Sequence, residues 1–181
     1  MAGFAGNDTL RGGEDSDLLI GGTGKDQYLL AENVPSSDMI WIWQGESLIS
    51  HFDTVKNFSL GGTNAVDTLL LSSTRIALDG MGNGMDAAAI RSHNITNGLI
   101  SVDDGDNYHA ALTLSPAQLK SVFLYLQSNI ANNDTVVFNA TEDCYVFQDN
   151  GTQDCLVRLT GVSARGLDTH GTMAGGVWPS G

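Results

Sequence analysis

The sequence predicts a mainly β fold, a short parallel β-roll capped by a β-rich, sandwich-like domain with one amphipathic helix. Three observations lead there. Glycine-rich nonapeptides stand back to back at the start of the chain. Short apolar, β-prone runs separated by Gly, Asn and Asp follow them, and a single segment has helical periodicity. The expected organisation is a roll over 1–30, a capping domain over 31–165 and a flexible Gly/Thr-rich tail over 166–181.

The nonapeptides are Gly3 to Arg11 (GFAGNDTLR), Gly12 to Ile20 (GGEDSDLLI) and Gly21 to Leu29 (GGTGKDQYL). Each has an Asp at its sixth position (Asp8, Asp17, Asp26) and a large apolar residue at its eighth (Leu10, Leu19, Tyr28). This is the G-G-x-G-x-D-x-U-x pattern of a calcium-binding parallel roll. Glycines permit left-handed backbone that turns carbonyl oxygens toward one point. The sixth-position carboxylates add charge, and calcium, a hard cation, takes oxygen ligands of both kinds. Three in-register matches, each with its inward apolar residue, set the segment apart from a Gly-rich linker.

Nine residues make half a coil, so loops on one side of the roll lie eighteen residues apart. Asp8 and Asp26 have that spacing and should face each other across one ion, with carbonyls of Gly3, Gly6, Gly21, Thr23 and Gly24 completing the shell. Asp17 has no such partner, because the matching position falls at Pro35. Its site is either half-built or completed by a later carboxylate such as Asp38 or Asp53. Phe4 and Asp15 stand where the pattern has glycine. Asp tolerates left-handed geometry, whereas Phe there is the larger departure and suggests a capping turn.

These residues resemble the RTX, or haemolysin-type calcium-binding, repeats of secreted bacterial proteins. DMIWIW at Asp38 to Trp43, HFDTVKNF at His51 to Phe58 and VDTLLLSS at Val66 to Ser73 follow in an order similar to the C-terminal region of serralysin-type proteases. Asp53 and Asp67 match that family's aspartates, and Asn57 stands where it has a second Asp. The segment Cys144 to Val162 resembles a closing hairpin found in such proteins. The resemblance implies an extracellular or cell-surface address, folding on meeting calcium, and export by a type I secretion apparatus. It implies Asp53 as a further metal ligand.

Lys+Arg number 8 and Asp+Glu 21, a net charge of −13. That excludes the basic footprint that nucleic acid or an anionic membrane requires. It favours cation binding, and without calcium the carboxylates should repel one another. No apolar run approaches the ~20 residues that span a bilayer.

Past the roll, runs at Met39–Trp43, Phe52–Phe58, Thr68–Leu71, Leu99–Val102, Thr135–Phe138, Tyr145–Phe147 and Leu156–Leu159 read as strands, and Asp79–Asp86 as a loop. The helix should start at Ser115, with Pro116 in its first turn and Gln118 completing a capping box. Leu119, Val122, Phe123, Leu126 and Ile130 then form one apolar stripe. Cys144 and Cys155 flank Asp149–Gly151, and a hairpin centred there would set them opposite each other. A disulfide and two buried thiols both suit the sequence.

No catalytic constellation is expected, and any catalytic domain would lie outside this chain. DTHGTMAGG around His170 resembles the histidine segment of subtilisin-like proteases but lacks its nucleophile and Asp partners. SVDDGDN (Ser101 to Asn107) reads as a solvated turn or a weak calcium loop. The expected function is therefore a calcium-binding, calcium-dependent folding module of a secreted RTX protein. The alternative is a surface- or glycan-binding module of an adhesin or surface-layer protein, with Trp41, Trp43 and Tyr108 as exposed contacts.

Overall fold

A computed structural model of the chain describes residues 1–61, 65–167 and 177–179. The first six strands wind as a roll. They are β1 (Thr9–Arg11), β2 (Leu18–Leu19), β3 (Gln27–Leu29), β4 (Met39–Trp41), β5 (Asp53–Lys56) and β6 (Thr68–Leu70). Odd strands pair in parallel along one wall and even strands along the other. Period-2 alternation turns one residue of each strand inward. Leu10, Tyr28 and Val55 form one interior column in register, and Leu19, Ile40 and Leu69 form the facing one. All six are buried, each worth about 1.5–3 kcal/mol of apolar burial.

The roll therefore completes three coils and ends at Leu70, where the sequence placed its end near residue 30. The third coil escapes a nine-residue count because longer connections precede β4, β5 and β6. Nor does the chain change architecture there. The remaining strands are β7 (Arg75–Ile76), β8 (Gly80–Ala87), β9 (Ile90–Thr96), β10 (Leu99–Asp103), β11 (Asp134–Ala140), β12 (Asp143–Gln148), β13 (Cys155–Thr160), β14 (Ala164–Leu167) and β15 (Val177–Pro179). The odd wall of the roll runs directly into a ten-stranded sheet ordered β1-β3-β5-β13-β12-β11-β10-β9-β8, with β7 added on β11. The junction is the parallel β5–β13 pair. Buried Ser47 reinforces it: its hydroxyl donates to the Leu156 carbonyl and accepts the Asp53 N–H.

Strands β11 to β13 are buried on both faces and accordingly read as near-continuous apolar runs. One face continues the roll interior through Val137, Cys144, Val146, Val157 and Leu159. The other packs against α1 (Leu119–Asn129) through Val136, Phe138, Tyr145 and Phe147. As expected, Ser115 and Gln118 start the helical segment: the Ser115 N–H donates to Gln118 Oε1 at 2.9 Å. The first turn, Pro116–Gln118, is 3-10. Val122, Leu126 and Ile130 are buried, and Leu119 and Phe123 are partly so.

Three expectations are corrected. Asp79–Asp86, read as a loop, mostly forms strand β8, paired antiparallel with β9. Two of its three glycines sit against side chains: a Cβ on Gly82 would lie 2.8 Å from His93 Cε1, and one on Gly84 2.5 Å from the Tyr125 hydroxyl, whereas Gly80 faces open space. The tail does not begin at 166, because Gly166 and buried Leu167 complete β14, which pairs with β15. His170 lies outside the described residues.

The third correction concerns the register of the cysteine hairpin, and of the two outcomes that suit the sequence, a disulfide and two buried thiols, the structure has the second. Both thiols are free and buried. The β12–β13 hairpin is centred two residues beyond the position expected from the Asp149–Gly151 turn, so Cys144 faces Leu159 and Cys155 faces Gln148. Four residues of strand rise separate the two along the hairpin, about 13 Å, far beyond disulfide reach. Burial pushes the Cys144 thiol up to about 12 and the Cys155 thiol higher still. A thiol-reactive chromophore should accordingly leave the native protein unmodified over minutes and label both cysteines at once in denaturant. Failure to label the denatured, unreduced chain would restore the disulfide.

Candidate metal centre

The backbone of the three nonapeptides follows one template. Second-position residues Phe4, Gly13 and Gly22 have φ of 76°, 95° and 91°, and fourth-position residues Gly6, Asp15 and Gly24 have φ of 120°, 67° and 143°. Phe4 and Asp15 thus adopt the left-handed backbone their missing glycines would have supplied. Coil stacking makes two of these glycines obligatory: a Cβ on Gly22 would meet the Phe4 carbonyl oxygen at 1.9 Å, and one on Gly24 the Gly6 carbonyl oxygen at 1.8 Å.

The sixth-position aspartates generate two ladders, one along each edge of the roll. On the first, the Asp8 N–H donates to Asp26 Oδ1 and the Asp26 N–H to Asp53 Oδ1, both at 2.8 Å. On the second, Asp17 donates to Asp38 Oδ1 and Asp38 to Asp67 Oδ1, both at 2.9 Å. The second oxygens divide the aspartates into two kinds. Asp8 Oδ2, Asp26 Oδ2 and Asp38 Oδ2 are buried without a hydrogen-bond partner. Asp53 Oδ2 receives the Tyr28 hydroxyl at 3.4 Å, and Asp67 Oδ2 the Ser59 N–H at 2.7 Å.

Asp53, expected as a metal ligand, stands at the far end of its ladder, where its two oxygens accept the Asp26 N–H and the Tyr28 hydroxyl. Asp67 closes the other ladder in the same way. Asn57 contributes a left-handed turn at φ 64° and is exposed.

Asp8 and Asp26 do come together with the eighteen-residue register expected of them. The point beside Gly3 where a side chain would stand is lined by the Gly21 carbonyl oxygen at 2.7 Å and Asp8 Oδ2 at 2.8 Å. The equivalent point beside Gly21 lies within 2.9 Å of the Asp26 carboxylate carbon. The Thr23 carbonyl, expected in the shell, accepts the Gly6 N–H at 2.9 Å. Asp17 does not remain half-built: its edge is continued by Asp38, one of the two residues the sequence left open.

Electrostatics sharpen the picture. Burial pushes Asp26, Asp38, Asp53 and Asp67 above the usual carboxylate range, Asp53 up to about 8. Backbone N–H groups pull each down, while neighbouring carboxylates push up again. Buried, mutually repelling carboxylates with partnerless oxygens, set among glycine carbonyls, form an all-oxygen donor set that suits a hard divalent cation. Among the described residues no cluster of three or more His, Cys, Asp or Glu stands preformed for a metal. The Asp8–Asp26 loop pair instead offers carboxylates together with the Gly21 carbonyl.

The SVDDGDN segment is a different device. Asp103 accepts the N–H groups of His109, Ala110, Gly105 and Asp104, which hold its carboxyl down at about 2. That saturated carboxylate organises a turn. No described helix is long and apolar enough to cross a membrane.

No curated protein and no solved structure matches the chain. A family profile described as the RTX calcium-binding nonapeptide repeat (4 copies) matches residues 2–30. The match stops short of the three later segments that resemble serralysin-type sequence. It falls on the two coil edges just described, with Asp8, Asp17 and Asp26 inside it, and residues 2–30 are RTX calcium-binding nonapeptide repeats.

Proposed function

We propose that this chain is a calcium-dependent folding module of a secreted bacterial RTX protein, exported by type I secretion and without catalysis of its own. One observation carries the reading: three aspartates of the roll, Asp8, Asp26 and Asp38, each keep a buried oxygen with no protein partner. Asp8 and Asp26 would hold calcium between the first and third repeats, with carbonyls of the Gly3–Asn7 and Gly21–Lys25 loops. The ion supplies positive charge to loops that otherwise repel. The chain's own residues do the rest: glycines bring the carbonyls close, the ladders fix the carboxylate angle, and Tyr28 and Asp53 close the stack beneath. Because an unfolded chain has no such site, binding free energy is folding free energy. An extracellular, calcium-rich setting would then favour the compact form over the calcium-poor cell interior.

Melting followed by circular dichroism tests this. At calcium about 100-fold above its dissociation constant, stabilisation should reach about 3 kcal/mol, or roughly 5–10 °C for a chain this size. Identical melting with calcium and with chelator would end the proposal.

A second reading has its own support. Trp41 and Trp43 stack with ring centroids 4.5 Å apart, and Trp43 is half exposed. Around them the outer face of the even wall is apolar through Leu18, Met39 and Leu70, unlike the odd wall with Thr9, Arg11, Gln27 and Lys56. Such a platform suits a sugar face or a protein surface. Tyr108 does not extend it as an exposed contact, being part-buried with its hydroxyl 2.6 Å from Ser101 Oγ. A glycan screen of the calcium-loaded protein discriminates: binding lost in Trp43→Ala would favour this reading.

A further inference from the structure

We propose that the Tyr28 hydroxyl joins the second coil of the roll to the third without a metal, in the place where the first coil is joined to the second by calcium. Tyr28 is then a specificity-determining residue: it ends calcium uptake on this edge at Asp8 and Asp26. The inference rests on the calcium reading and sets a boundary to it.

The backbone shows where the repeat geometry runs out. The first-position glycines of the first two repeats each donate an N–H to the neighbouring coil, Gly3 to the Ile20 carbonyl at 2.9 Å and Gly12 to the Leu29 carbonyl at 3.2 Å. Gly21 is the third such glycine. The strands beside it, β2 and β4, pair only through Leu18–Met39 and Leu19–Ile40, so their ladder stops short of it. The Tyr28 hydroxyl takes the place of the strand carbonyl and accepts the Gly21 N–H at 3.0 Å. Its own proton goes to Asp53 Oδ2 at 3.4 Å. One side chain thus ties the last glycine-rich loop to the first strand of the third coil.

Tyrosine does here what the other inward residues cannot. Leu10 and Leu19 hold the same place in their repeats and carry no polar atom on the side chain. Tyr28 is as fully buried as they are and brings an oxygen at the far end of its ring. Beside Gly3, the point where a side chain would stand is lined by the Gly21 carbonyl oxygen and Asp8 Oδ2. Beside Gly21, the equivalent point is met by Asp26 Oδ2 and the Tyr28 hydroxyl. A phenol therefore stands in the second junction at a place that only carbonyl and carboxylate oxygens line in the first. The segment leading into Asp53 differs in the same sense. Ile49–His51 is a 3-10 turn without glycine, and the Asp53 N–H is taken by Ser47 Oγ at 2.8 Å. Such a turn lacks the left-handed glycines that aim several carbonyls at one point. Deleting the hydroxyl would leave a buried N–H and a buried carboxylate oxygen without their partner, which is strongly unfavourable.

Amide hydrogen exchange of the full chain, resolved by residue with calcium and with chelator, tests the assignment. Across the first junction, Gly6, Thr23 and Gln27 donate to the Thr23, Phe4 and Asp8 carbonyls. Across the second, Leu30 and Thr54 donate to the Lys56 and Asp26 carbonyls. Chelator should speed exchange at the first three amides by at least about tenfold and leave Leu30 and Thr54 within about threefold. In Tyr28→Phe, Leu30 and Thr54 should exchange at least about tenfold faster than in the wild type under chelator. Should that variant not fold, the wild-type contrast between the two sets decides alone. Equal acceleration of both sets on chelation would overturn the metal-free junction and leave the calcium reading intact. So would Leu30 and Thr54 amides indifferent to Tyr28→Phe, or the loss of a calcium equivalent in that variant, which would make the phenol a ligand. Protection unchanged by chelator in both sets would overturn the calcium reading and this inference with it.

Discussion

Replacing Gly24 by alanine dismantles the stacked coils, whereas the same change at Gly6 is tolerated. Both residues occupy the fourth repeat position and both have positive φ, 143° and 120°. Any L-residue is strained there by about 1–3 kcal/mol, and that is the whole expected effect at Gly6, whose added Cβ meets nothing within 4 Å. At Gly24 the added Cβ would stand 1.8 Å from the Gly6 carbonyl oxygen. That contact is backbone on backbone, so no rotamer relieves it. The coils must separate, and separation breaks the parallel hydrogen bonds of Gly6 with Thr23 and of Thr23 with Phe4. It also withdraws the Asp26 carboxylate from the Asp8 N–H. A loss exceeding about 4 kcal/mol follows, with calcium affinity falling alongside, whereas Gly6→Ala should keep a calcium-dependent melting transition. Thermal melts of the two variants in saturating calcium measure the difference. Equal melting temperatures would mean that coil stacking is not what makes Gly24 obligatory.

The same comparison shows what the sequence could and could not convey. A nine-residue period is a local property, so Asp8, Asp26, the inward residues Leu10, Leu19 and Tyr28 and the positive-φ positions were all readable from spacing alone. The later half of the roll was not. Asp26 to Asp53 spans 27 residues and Asp38 to Asp67 spans 29, because the connections bulge while the strands hold register. Hydrogen bonds across the coils, such as Glu14 clamping Asn33, hold Asp38 at a repeat position despite the longer connection. A sequence signal did exist: D-x-I at Asp38 and D-x-V at Asp53 and D-x-L at Asp67 each repeat the Asp followed two residues later by an inward apolar residue. Pairing that short motif with β-prone flanks would have extended the roll to three coils.

Elsewhere the failures share a cause, which is that partners from distant parts of the chain override local composition. The β8 glycines suggest a loop in isolation, but His93 crowds Gly82 and Tyr125 and Asn129 crowd Gly84. The Cys144–Cys155 register depends on loop length, since Asp149 and Asp154 each cap the turn by accepting backbone N–H groups from Gly151 and Asn150. A six-residue connection replaces the tight turn at Asn150–Gly151, and the strands pair two residues further on.

In chelator, the protein should grow less stable as pH rises from weakly acidic to alkaline, and calcium should reverse that trend. Burial raises Asp53 to about 8 and moves Asp26, Asp38 and Asp67 in the same direction. Raised carboxylates mean that the calcium-free folded state binds protons the unfolded chain has released. Stability therefore falls with pH, being complete below the unfolded value near about 4 and lost on passing through the folded one. Asp53 alone would contribute on the order of 5 kcal/mol across that window. His93 acts oppositely, because burial lowers its pKa from 6.5, so its contribution is present above that value and fades below it. Asp103, held at about 2, matters only in stronger acid. The decisive comparison is thus pH 6.5 against about pH 8, across which Asp53 removes about 2 kcal/mol, while His93, half charged in the unfolded chain at the lower value, restores less than about 0.5 kcal/mol, a net fall of roughly 3–6 °C. With calcium present the cation takes the place of the proton at Asp26 and adds positive charge beside Asp53, which Asp26 otherwise pushes up, so its affinity and the stabilisation it confers should grow over the same interval. Paired melts at the two pH values, with chelator and with calcium, separate these contributions. A chelated protein that melts higher at the alkaline value would show that the buried carboxylates are not protonated in the calcium-free roll.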